Sequence, residues 1–97
     1  MPSYLILMKL TDQGVKAIKE MPERIEEGIE AWKKMGGKIF GFYVLMGEYD
    51  YAAIGEFPND EVAATFSLKV SSRGNIKTTT IKAFTKDEFS EIVKKMP

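Results

Sequence analysis

Apolar positions along the chain follow two rhythms. From residue 3 to 10 they are nearly continuous through Tyr4, Leu5, Ile6, Leu7 and Met8, so both alternating faces are apolar, and this predicts a strand at the centre of a sheet. Thr11-Asp12-Gln13-Gly14 reads as a turn, followed by a short helical piece around residues 15 to 20. From about 22 to 35 the spacing becomes helical: Ile25, Ile29, Trp32 and Met35 share one face, while Glu26, Glu27, Glu30, Lys33 and Lys34 take the other. Pro22 suits the first turn of that helix, and Gly36-Gly37 ends it. A second strand, about 38 to 46, offers Ile39, Tyr43 and Leu45 to one side and Phe40, Phe42, Val44 and Met46 to the other. Gly47-Glu48 predicts a two-residue type II′ hairpin with Gly47 at positive φ, after which Tyr49 and Asp50 open a third strand reaching about residue 57.

Pro58-Asn59-Asp60 supplies a turn and a cap for a helix whose buried stripe is Val62, Phe66 and Val70, and Gly74 stops it. Residues 75 to 84 form a fourth strand, rich in β-branched Thr78, Thr79, Thr80 and Ile81. Thr85-Lys86-Asp87-Glu88 is a capping box for a last helix carrying Phe89, Ile92, Val93 and Met96, with Phe84 expected to pack on Phe89 as a hydrophobic staple. The order β-α-β-β-α-β plus a C-terminal helix predicts an α+β, ferredoxin-like fold: an antiparallel sheet with both crossover helices on one face. The opposite face is then also apolar, and exposing it would exceed the patch size usual for a soluble monomer. Either the last helix folds under the sheet or a second subunit covers it. That helix is short, so a homodimer or higher homo-oligomer is expected, with the helix at its margin.

Composition narrows the chemistry more than it names it. The 97 residues predict a single domain, 1–97, able to bury a core without staples. Cysteine and histidine are both absent, which removes disulfides, thiol nucleophiles, the commonest general base and the commonest transition-metal ligand. Carboxylate, Tyr and Lys chemistry remain, and no metal or cofactor is implied. Fourteen basic residues balance fourteen acidic ones, so no overall field favours nucleic acid or an anionic membrane. The start, Met1-Pro2-Ser3 and a short apolar run broken by Lys9, fits neither a signal peptide nor a membrane span, and a reducing cytoplasm is the expected location. The stretch Lys38-Ile39-Phe40-Gly41-Phe42-Tyr43-Val44 faintly imitates an RNA-binding strand, but it falls on the second strand and its aromatics are needed to cover the sheet.

Several motifs, in order and spanning nearly the whole chain, resemble the GYD domain family of the dimeric α+β barrel group. They are Leu10-Thr11-Asp12-Gln13-Gly14, Gly36-Gly37-Lys38, Gly41-Phe42-Tyr43, Gly47-Glu48-Tyr49-Asp50, Gly74-Asn75-Ile76 with Thr78-Thr79-Thr80, and Ala83-Phe84-Thr85. The resemblance implies the fold and a dimer whose sheets face each other; it brings no established reaction. A looser likeness, through the Gly-x-Tyr-Asp hairpin and the Thr-rich fourth strand, is to the effector-binding domain of Lrp/AsnC-type regulators. Without a helix-turn-helix segment, the sequence would match the stand-alone form, a module that binds small metabolites between subunits.

Six residues are candidates for a ligand site: Asp50, Tyr49, Tyr43, Trp32, Asn75 and Thr78. Asp50 could accept from a ligand amine with Tyr49 orienting it, although Asx residues beside turns commonly bind backbone N–H groups instead. Trp32, Tyr43 and Phe66 could wall a pocket between helices and sheet, but aromatics at helical spacing more often form core. Thr78 and its neighbours suit a polar cavity or simply an edge strand. Arg73, near the end of a helix, complements the helix dipole, and in a pocket it would bind a carboxylate. Two functions are therefore expected: a non-catalytic small-molecule binding or regulatory module, or a cofactor-independent oxygenase or isomerase with Asp50, Tyr43 or Tyr49 handling protons.

Overall fold

A computed structural model describes all 97 residues. Strands β1 (Ser3–Leu10), β2 (Lys38–Val44), β3 (Tyr51–Glu56) and β4 (Ile76–Ala83) form one antiparallel sheet in the order β2-β3-β1-β4. The helices are α1 (Asp12–Lys16), α2 (Met21–Lys34), α3 (Asp60–Ser72) and α4 (Lys86–Lys94), with a 3-10 turn at Ile18–Glu20. This is the ferredoxin-like order, and β1 lies inside the sheet as its two apolar faces require.

The core forms where α2 and α3 cover one sheet face. Tyr4, Ile6 and Met8 of β1 point to that side with Tyr51 and Ala53 of β3, and all five are buried. Trp32 of α2 fixes the distance between helix and sheet. Its indole N–H donates to the Glu56 carbonyl at 2.8 Å, its ring stacks on Phe57 at 4.3 Å, and Phe66 of α3 meets it at 5.2 Å. A Cβ at Gly37 or Gly55 would come within 2.6 Å of the indole, so only glycine lets the ring lie this close to the backbone.

Strand β2 departs from strict alternation. Ile39 pairs with Gly55 but Gly41 pairs with Ile54, and the bulge between them inserts one residue. Phe42 therefore joins Ile39 on the helix side, its ring 5.6 Å from Tyr51, while Tyr43 pairs with Ala52 on the opposite face. Tyr43 thus does not wall a pocket with Trp32 and Phe66. The predicted division of β2 into Ile39 with Tyr43 against Phe40 with Phe42 fails at this one extra residue, because a period-two count cannot see a bulge.

Two connections also differ from expectation. Thr11 does not merely turn the chain: its hydroxyl caps α1 by accepting the Gly14 N–H at 3.1 Å, so helix begins at Asp12. Between β2 and β3 the chain needs residues 45–50, closed by Leu45 N–H to the Asp50 carbonyl at 2.8 Å, in place of a two-residue turn. Asp50 binds across to β1 and so is drawn out of strand pairing. Gly47 does hold positive φ, at 122°.

The other sheet face carries Leu5, Leu7, Ala52, Ile54 and Ile81, with Tyr43 more than half exposed at its edge. Helix α4 does not fold beneath it. The predicted capping box is formed, Glu88 N–H to Thr85 Oγ1 at 3.1 Å and Thr85 N–H to Glu88 Oε1 at 2.8 Å. Yet no residue of α4 is buried, and Phe84 and Phe89, the expected staple, are both about 60 % exposed. The long axis of the molecule reaches 52 Å.

Open space surrounds the Cα of Gly47, so a side chain there meets only backbone strain. Gly47→Val is expected to cost about 1 kcal/mol or more. A lowered urea midpoint with unchanged m-value checks this, and an unchanged midpoint would show that positive φ at this position carries no strain.

Candidate functional site

Helices α2 and α3 leave a cleft between them above the sheet. Gly28, in the middle of α2, lies where the helices would otherwise interdigitate, and nothing stands within 4 Å of the position its Cβ would take. The resulting cavity, about 80 Å³, has Met8, Ile39, Phe42 and Tyr51 on its sheet side and Ile25 and Trp32 on its helix side. Its mouth is charged. Arg24 and Glu27 come from α2, Lys69 from the last turn of α3 and Arg73 from that helix's C-cap. Arg73 Nη1 donates to Glu27 Oε2 at 2.9 Å, and Arg24 lies 3.8 Å from the same oxygen.

Of the six residues predicted from sequence, the cleft gathers Trp32, Asn75 and Thr78. Thr78 exchanges a hydrogen bond with Ser71 of α3 at 3.0 Å, and Thr80 bonds Ser67 one turn earlier, so the threonine run ties edge strand β4 to α3. Asn75 accepts from the Gln13 amide at 3.0 Å and, through its carbonyl, from Thr11 N–H at 3.0 Å. The remaining three lie elsewhere: Tyr43 on the open sheet face, Tyr49 and Asp50 in the loop before β3. Asp50 Oδ2 accepts the Leu10 N–H at 2.8 Å while its own N–H donates to the Met8 carbonyl at 2.9 Å. Tyr49 lies beneath the Lys9 ammonium, 5.7 Å from the ring centre. Sequence reasoning missed Gly28 and the rim pair Arg24 and Glu27. A glycine inside an otherwise amphipathic helix, costing up to about 1 kcal/mol against alanine, was the available signal.

Burial and then the Asp50 charge raise the pKa of the Tyr51 phenol, which faces the cleft. A second polar cluster lies at the start of α3. The Tyr4 hydroxyl donates to Asp60 Oδ1, and Lys82 Nζ is 3.1 Å from the same oxygen. Burial, and then the bond to Asp60, push the Tyr4 pKa up to about 12. The Tyr4 hydrogen bond, then Lys82, hold Asp60 below the usual carboxylate range. No cluster of three or more His, Cys, Asp or Glu is placed to hold a metal ion.

A four-stranded antiparallel sheet with two crossover helices on one face and a cleft between them defines a small α+β protein of ferredoxin-like class. The chain belongs to the GYD domain family, which it matches over residues 4–93. It is 33% identical, over 84 residues, to a Thermus thermophilus protein named glutamine synthetase and cystathionine beta-lyase binding protein, covering 86% of this chain and 88% of that one. Two solved structures share the fold. One is the leucine response regulatory protein LrpA of Mycobacterium tuberculosis, with a TM-score of 0.57 at 10% identity; 88% of this chain spans about half, 51%, of that one. The other is TTHA0845 of Thermus thermophilus, with a TM-score of 0.56 at 18% identity, covering 88% of this chain and 95% of that one.

The Tyr4–Asp60–Lys82 cluster gives stability a defined pH dependence. A folded Tyr4 keeps its proton up to about pH 12, whereas the unfolded chain releases it near pH 10, so its stabilisation is complete below pH 10 and is lost as pH rises from about 10 to about 12. Asp60 works the other way: its contribution is present above the ordinary carboxylate pKa and is lost as pH falls through its lowered folded value. Urea midpoints of Tyr4→Phe are therefore expected to fall less steeply than wild type above pH 10, the rest of the decline coming partly from Tyr51. Parallel alkaline slopes would refute the assignment.

Proposed function

We propose that this protein is a non-catalytic binding and regulatory module of the cytoplasm that works as a homodimer, with its small-molecule ligand held in the α2–α3 cleft. The observation that carries the reading is the pair of uncovered apolar surfaces on one chain: the open sheet face with Leu5, Leu7, Ile54 and Ile81, and α4 with Phe89, Ile92, Val93 and Met96. A second copy related by a two-fold axis brings the two open faces together and gives α4 a surface at the margin of the interface. Burying such surfaces contributes about 25 cal/mol per Å² of apolar area, set against the freedom lost on association.

The chemistry of the cleft supports binding over catalysis. Glu27 is engaged by Arg73, and the Tyr51 phenol, protonated at neutral pH in any case, is driven further from ionising by burial, which leaves that interior without a free base. Asp50, Tyr43 and Tyr49, the proton-handling residues of the oxygenase or isomerase alternative, do not line it. The name of the Thermus thermophilus relative adds a protein partner to the reading: an enzyme of amino-acid metabolism that the dimer binds.

Light scattering at micromolar concentration is expected to give twice the chain mass of 10.9 kDa, and Ile54→Lys, a charge on the open face, to give the monomer. A wild-type monomer would overturn the dimer. Surface plasmon resonance against glutamine synthetase and cystathionine β-lyase from the same cell tests the partner; binding to at least one, lost in the Ile54→Lys variant, is expected, and a flat response to both would remove the enzyme-partner reading.

A further inference from the structure

The mouth of the cleft specifies more than a small apolar ligand. Three cations, Arg24, Lys69 and Arg73, stand at the rim of an otherwise apolar cavity, with one carboxylate, Glu27, among them. Arg73 gives Glu27 its Nη1 donor at 2.9 Å, while Arg24 lies 3.8 Å from the same carboxylate and 3.9 Å from Glu20. Lys69 takes part in no ion pair. A guanidinium carries five N–H donors in a fork that suits a carboxylate, so Arg73 keeps donors to spare after serving Glu27. The rim thus has an excess of positive charge directly above the apolar interior, in a chain whose formal net charge is zero.

Size limits the body of the ligand. The cavity of about 80 Å³ is roughly half the ~150 Å³ that admits benzene in an apolar protein interior. The enclosed part is thus smaller than a benzene ring needs, and an unbranched tail of about three or four carbons fits it with its polar end left at the open mouth. Gly28 is the residue that leaves this space open, since its missing side chain would point into it.

Resting on the reading of the cleft as a ligand site, we propose that it binds short aliphatic monocarboxylates, of about four or five carbons, the carboxylate lying outside the apolar space. The chain lies between α2, α3 and the sheet, against Ile25, Trp32 and Phe42, and the acid group meets Arg73 and Lys69 at the mouth. Glu27 is an internal competitor for the same guanidinium, which sets the affinity and makes it salt-dependent.

Calorimetric titration with the sodium salts of butyric to octanoic acid, alongside the matching primary alcohols, tests the assignment. The shorter acids, of about four and five carbons, are expected to bind about tenfold or more tighter than their alcohols, the equivalent of one charge-assisted hydrogen bond. Arg73→Gln should cut acid binding severalfold more than alcohol binding, with Lys69 retaining part of the preference, and Glu27→Gln should strengthen acid binding severalfold; equal losses for acid and alcohol in Arg73→Gln would overturn the role given to that residue. Gly28→Leu, which fills the cavity, should abolish binding of both series. Equal affinity for acid and alcohol, with both lost in Gly28→Leu, would overturn the carboxylate assignment while leaving the cleft as a site. Should wild type bind neither series at millimolar concentration, or should Gly28→Leu bind like wild type, the cleft reading falls as well. The Arg73→Gln and Glu27→Gln variants keep the carboxylate assignment falsifiable if Gly28→Leu does not fold.

Discussion

The end of β1 holds the molecule together. Within two residues, Leu10 and Thr11, the chain leaves the sheet for α1, and three distant segments converge there. Asp50 accepts the Leu10 N–H, Asn75 accepts the Thr11 N–H, and the Thr11 hydroxyl donates to the Gly74 carbonyl at 2.6 Å. Gln13 adds bonds to the Arg73 carbonyl and the Asn75 side chain. Gly14 approaches so closely that a Cβ there would come 2.1 Å from the Asn75 oxygen. Buried backbone groups at a strand end need partners, and these residues supply them. The registers of β3 and β4 on either side of β1 are fixed at this one place, and so is the mouth of the cleft, since Arg73 leads directly into Gly74 and Asn75.

Much of the fold was legible because its signals are local. The double-sided apolar run gave the central strand, the 3.6-residue spacing of Ile25, Ile29 and Trp32 gave α2, and Thr85 with Glu88 gave the start of α4. Where the reading failed, a distant partner decided the local structure. The β2 bulge depends on pairing with β3, and a single inserted residue moved Tyr43 to the far side of the sheet. Residues 45–50 are not a tight turn because Asp50 is bound to β1, a contact between positions forty residues apart that no window of sequence reveals.

Half of the candidate residues share the cleft, and the other half do not, for the same reason. Trp32, Asn75 and Thr78 stand out by residue type and do meet in one cleft, but each also has a structural bond, so residue type alone cannot distinguish lining from scaffold. The glycine motifs that carry the family resemblance serve close approach and chain reversal: Gly37 makes room for the Trp32 ring, and Gly74 sits at a φ of 84° beside the β1 tie. Gly28 belongs to no motif, yet it is the glycine that opens the cavity.

Helix α4 is a separate case, because nearly all its stability must come from within. A nine-residue helix with no buried side chain is below the length at which an isolated helix persists in water. Its capping box and the Lys94–Glu91 pair, at 3.0 Å, are both exposed to water and add too little to hold it against fraying. The tail is therefore a unit of local unfolding, able to open without disturbing the sheet. Hydrogen exchange and proteolytic nicking are thus drawn to the segment around Phe89, Ile92 and Val93 before they reach the sheet, and any surface that covers these side chains would slow both.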